Sequence, residues 1–159
     1  MNTRHVPDLE LCQEFDTLCK EKGIVVPETE FYWFKLLRGT WTLQDMYWCD
    51  ASYVLRIPAP LVSEQGEWLP RYIQNIVEAV CETQPIGEWE LITRPTCNNG
   101  GGLRQFEVRY IYKMRAMRQE EQKQVAPAPY DIAMVADTEA NARIKCLNNL
   151  IAEGIITNL

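Results

Sequence analysis

A single histidine, His5, stands in a chain of 159 residues, which removes much of acid–base and metal chemistry. A His-x-x-x-His zinc helix or a paired-histidine phosphoesterase is impossible. A Ser-His-Asp triad would have to recruit His5, near an end of the chain where nothing positions it. Cysteines are the next reactive set, at positions 12, 19, 49, 81, 97 and 146. No Cys-x-x-Cys pair occurs, so the paired spacing of structural zinc sites is missing. Cys12 and Cys19 share one face of a helical pattern but lie about 10 Å apart along it, too far for a disulfide. Buried thiols acting as small hydrophobes are expected. Lys, Tyr and carboxylates are the acids and bases that remain. Neither of two carboxylate pairs has a reason to be catalytic. Glu64 and Glu67 sit one turn apart near a helix start, where acids are favoured anyway. Glu88 and Glu90 alternate with Trp89 on a strand and face solvent. The chain is therefore expected to be no enzyme, and to need no metal and no cofactor.

Two further features could bind rather than react. The segment from Arg104 to Arg118 carries basic residues at 104, 109, 113, 115 and 118 against Glu107 alone, in a chain whose formal net charge is −6. Arg109, Lys113 and Arg115 form the candidate surface for nucleic acid or a nucleotide-like signal. The tyrosines of the same strand alternate onto its opposite face, so they cannot stack bases beside those cations. The alternative is a solvated strand face balanced by acidic neighbours. The second feature is aromatic. Large rings crowd residues 31–53, and both faces of 31–37 are apolar, so either helices cover both sides of a sheet or an apolar patch remains for a partner. Trp33, Trp41 and Trp48 are the candidate protein interface, including one for self-association. The run Asn98-Asn99-Gly100-Gly101-Gly102 offers backbone amides to a phosphate. It joins two strands, however, where a phosphate loop would join a strand to a helix, so it reads as a hairpin turn.

These residues need elements to hold them. A helix is predicted from about Asp8 to Lys22, with Pro7 and Asp8 at its start and Gly23 past its end. Leu11, Phe15, Leu18 and Cys19 form its apolar stripe. Strands are predicted over 31–37, around 41–43 and over 53–57. Pro58 and Pro60 end the third, and a short helix capped by Ser63 follows and is interrupted by Pro70. A second helix is predicted over 71–83 from the spacing of Ile73, Ile76, Val77 and Val80. Strands over 88–94 and 104–114 form a hairpin about a turn at 95–102, with Phe106, Val108, Tyr110 and Tyr112 on its buried face. A surface linker is expected at about 116–129. The last helix is capped by Asp137 or Thr138, lined by Ala140, Ile144, Leu147 and Ile151, and stopped by Gly154, with Ile155-Ile156 forming a strand or a hydrophobic clasp.

Three fragments carry a resemblance. They are the early helix followed by Phe31-Tyr32-Trp33, the stretch Ser63-Glu64-Gln65-Gly66-Glu67-Trp68-Leu69-Pro70, and Ala136-Asp137-Thr138-Glu139-Ala140-Asn141-Ala142-Arg143 leading into Leu147, Leu150-Ile151 and Gly154. In these the chain is similar to a set of short uncharacterised proteins of phages and prophages, notably of gut bacteria. Gln65 departs from the pattern, which has an apolar residue there. The resemblance implies a phage origin and brings no activity and no catalytic residues.

The expectation is a single α+β domain over 1–159, a mostly antiparallel sheet of about four to five strands packed by three helices. No apolar stretch reaches the roughly 20 residues of a membrane span, and Met1 to Glu10 lacks the apolar centre of a signal peptide. The expected location is the cytoplasm of a bacterial host. The expected role is binding to a host or phage protein, for instance to inhibit a host defence or a host enzyme, with nucleic-acid or nucleotide binding through 104–118 as the alternative.

Overall fold

The computed structural model describes residues 5–36, 39–46, 53–74, 87–97, 104–114 and 132–159. In chain order they form α1 (Leu9–Lys22), β1 (Phe31–Leu36), β2 (Trp41–Asp45), β3 (Tyr53–Pro58), α2 (Val62–Trp68), β4 (Tyr72–Gln74), β5 (Gly87–Cys97), β6 (Arg104–Met114), β7 (Ala133–Ala136) and α3 (Glu139–Ala152). The class is α+β with three helices among the described residues. The strands, however, form two antiparallel sheets rather than one sheet of four to five, in the orders β2-β1-β3 and β4-β5-β6-β7. Prolines 58 and 60 lack amide donors where β3 ends, and α2 leads the chain away, so β4 pairs with β5 instead of extending the first sheet.

Gly23 closes α1 in the left-handed region at φ 68°, where Ile24 N–H bonds Cys19 O at 2.8 Å. Asp8 precedes the helix but does not cap it. Its carboxylate accepts from Asn141 Nδ2 at 2.7 Å, and its own N–H donates to Asn141 Oδ1 at 2.9 Å. A residue type suited to local capping is thus used to tie α1 to α3. The helix serves both sheets. Phe15 and Cys19 join the core formed by α3 and the four-stranded sheet. Cys12 joins a second cluster with Val6, Ile57 and Ala59 against the three-stranded sheet.

The central element is α3. Thr138 is its cap, accepting from Asn141 N–H at 3.1 Å, while Asp137 accepts from the Asn141 side chain at 3.0 Å. The expected stripe Ala140, Ile144, Leu147 and Ile151 is buried, and so are Ala142, Cys146 and Leu150, which makes this a helix covered on most sides. After Gly154 (φ 75°), Ile155 and Ile156 both donate to Leu150 O, and Ile156 is buried. The end is a hydrophobic clasp and not a strand.

Three other expectations are corrected. Leu61, not Ser63, is the residue before α2, because Glu64 reaches back to accept the Leu61 N–H and so supplies the cap. Tyr72–Gln74 is a strand paired with Glu88–Glu90, not the start of a helix. Pairing with an existing strand edge outweighs a local helical period there. Pro95, Thr96 and Cys97 extend β5 and are not part of the turn. The Asn98–Gly102 run, the 116–129 segment and most of the 71–83 helix lie outside the described residues.

Candidate functional site

In the three-stranded sheet the register sets Trp33 opposite Leu43 and Ile57, and Lys35 opposite Trp41 and Leu55. Opposed residues of antiparallel strands share a face, so Trp33, Trp41, Leu43, Ile57 and Leu55 lie on one side with Phe31. The N-terminal turns of α1 cover this side only in part. Ile57 is buried, Trp33, Trp41 and Leu43 are half-buried, and Leu55 is 54% exposed. Lys35 Nζ lies over the Trp41 ring, 5.6 Å from its centre, a cation–π contact. The Trp33 indole N–H is buried near the Cys12 thiol and has no hydrogen-bond partner among the described residues. The structure thus brings Trp33 and Trp41 together as the edge of a core, with Leu55 as its open margin. Trp48 lies outside the described residues.

On β6 the expected alternation holds at Val108 and Tyr110, which are fully buried, with Arg109 on the other face; Phe106 is half-buried, and the Tyr112 side chain lies outside what is described. The register adds what the strand alone conceals. Arg94 of β5 stands opposite Glu107 and donates from Nε to its carboxylate at 2.6 Å, while Arg109 Nη1 approaches the other oxygen at 4.0 Å. Glu107 is buried between the two guanidinium groups. Further along, Glu90 is paired with Ile111 and Glu88 with Lys113. A run that is basic in sequence is interleaved with acids across the sheet. Lys113 is placed only by this register, and Arg115 lies outside the described residues.

Cys12, Cys19 and Cys146 are buried, free thiols. Burial pushes Cys12 and Cys146 up to about 12 and Cys19 up to about 11. The Trp33 contact opposes the shift at Cys12 and Arg143 opposes it at Cys146, both with smaller effect. Tyr110 is also raised by burial, and its hydroxyl donates to Pro70 O at 2.7 Å. Each shift favours the neutral, unreactive form, the reverse of what an activated nucleophile requires. Among the described residues no cluster of three or more His, Cys, Asp or Glu is arranged to hold a metal ion. None of the described helices is long and apolar enough to cross a membrane.

One concave feature escapes sequence reading altogether. A cleft of about 290 Å³ lies where α1, the 26–28 segment, β1 and β3 meet, with Tyr32 and Arg56 on the side of the sheet opposite Trp33. Its charged residues, Asp16 and Lys20, Glu28, and Arg56, come from three separate stretches, so no local spacing marks it. Against protein-family models, curated proteins and solved structures alike, the chain finds no match.

Proposed function

We propose that this chain is a non-enzymatic accessory protein of phage origin that acts by binding a protein of the host or the phage. Inhibition of a host defence or host enzyme is the concrete form. The supporting observation is the face of the three-stranded sheet on which Trp33, Trp41 and Leu43 are only partly buried beside the open Leu55. Aromatic rings backed by a core and left open at a margin have the composition of interface centres. The phage origin rests on the resemblance of the three fragments.

The test compares tagged wild type with Leu55→Asp in affinity purification from bacterial lysate at moderate salt. Wild type is expected to retain one protein in stoichiometric amount and the variant to lose it, with unchanged thermal unfolding because Leu55 is exposed. Equal capture by both, or by neither, overturns the reading. Binding of nucleic acid or a nucleotide through Arg109, Lys113 and Arg115 is the second reading, supported by the charge run and weakened by the acids paired across the sheet. It requires binding of labelled single-stranded DNA that falls steeply with salt and with Arg109→Ala.

A further inference from the structure

We propose that the cleft between α1 and the β1–β3 edge is a binding site for a small zwitterion of the α-amino-acid class, its carboxylate held by Arg56 and its ammonium by Glu28. The site lies on the other side of the sheet from the protein-binding face, so the two readings stand or fall separately.

Arg56 carries the argument. Its guanidinium carbon sits 5.5 Å from the centre of the Tyr32 ring, over its face. Such a contact uses the charge of the guanidinium and none of its N–H donors in a conventional hydrogen bond, so they stay available to a planar anion. Among the described residues Arg56 has no hydrogen-bond or ion-pair partner, and neither does Glu28, which lines the same cleft. The other two charges there are already committed to each other, with Lys20 Nζ 2.6 Å from Asp16. One cation and one anion are thus left unpaired across a common space, too far apart to form a salt bridge. A bare anion would gain from Arg56 and lose at Glu28, whereas a molecule carrying both charges gains from both. Tyr32, 5% exposed, forms part of the lining and is held in place by its hydroxyl, which accepts from Thr29 N–H at 3.3 Å. Val26, Pro27 and Pro58 supply apolar walls. The volume is at the small end of ligand sites, roughly 300–1,000 Å³, and suits a molecule of amino-acid size with an aliphatic side chain.

The test is a titration of the full chain, followed by amide chemical shifts, with L-leucine, leucinamide and N-acetylleucine up to about 50 mM, since so open a cleft is expected to bind in the millimolar range. Leucine should give saturable shifts at residues 26–28 and 56. Each blocked analogue should bind about tenfold more weakly, having lost one charge-assisted contact. Arg56→Gln should abolish the response to N-acetylleucine, and Glu28→Gln the response to leucinamide. Both side chains are exposed, so neither change should disturb folding. Shifts that never saturate, equal binding of all three probes, or leucine binding unchanged in Arg56→Gln would overturn the assignment.

Discussion

Gln65 is fully buried on α2, its Nε2 donating to Pro60 O at 2.8 Å while its Oε1 has no partner among the described residues. An orphaned buried acceptor costs about 1–3 kcal/mol. Full burial is a physical reason for an apolar side chain to suit the position. Gln65→Leu is expected to stabilise the protein by about 1 kcal/mol, because the removed orphan and the added apolar burial together exceed the loss of one neutral hydrogen bond. Urea denaturation measures it, and a loss of stability above about 1 kcal/mol would show that the amide satisfies a need the leucine cannot.

At the scale of elements, Glu64 ties the start of α2 to the start of β1. One carboxylate oxygen accepts the Leu61 N–H that α2 would otherwise leave unpaired, and the other accepts Glu30 N–H at 3.0 Å, just before β1. On the far side of α2, Arg143 of α3 lies against Gly66, where an added Cβ would stand 3.0 Å from its Nη1. The segment entering β1 and the helix α3 therefore meet around the short α2. Glu64→Ala is expected to cost about 1–3 kcal/mol, lowering the melting temperature by about 2–8 °C, with Glu64→Gln between it and wild type. A melting temperature unchanged in Glu64→Ala would reduce the carboxylate to a solvated side chain.

For the whole molecule, the buried thiols set an alkaline limit. Cys12 and Cys146 are held protonated in the folded chain to about pH 12, against 9.0 for an exposed thiol. Between pH 9 and 12 the unfolded chain releases protons that the folded chain keeps, so stability falls as pH rises, by up to about 1.4 kcal/mol per pH unit for each thiol. Below pH 9 both states hold the protons and these groups contribute no slope. Denaturant midpoints at pH 8 and pH 10.5 should show the fall, and a Cys12→Ala, Cys146→Ala double variant should show a shallower one. Equal slopes in the two proteins would sink the linkage.

Local chemistry was enough to reveal α1, α3 and β6. Gly23, Thr138 and Gly154 act through their own backbone or a neighbour three residues away, and the alternation in 104–114 needs no knowledge of the partner strand. Residue 72 onward could not be read the same way, since Ile73 and Ile76 fit a helix until the β5 edge offers hydrogen bonds to Tyr72–Gln74. Ala133–Ala136 is too short a run to announce a strand, and only pairing with Phe106–Arg109 makes it one. The division into two sheets, the acids that interleave the basic strand and the cleft holding Arg56 and Glu28 were likewise decided by tertiary structure. The physical reason is common to all of them: composition and period report what a residue prefers, while pairing, burial and charge balance depend on which distant residue the fold places against it.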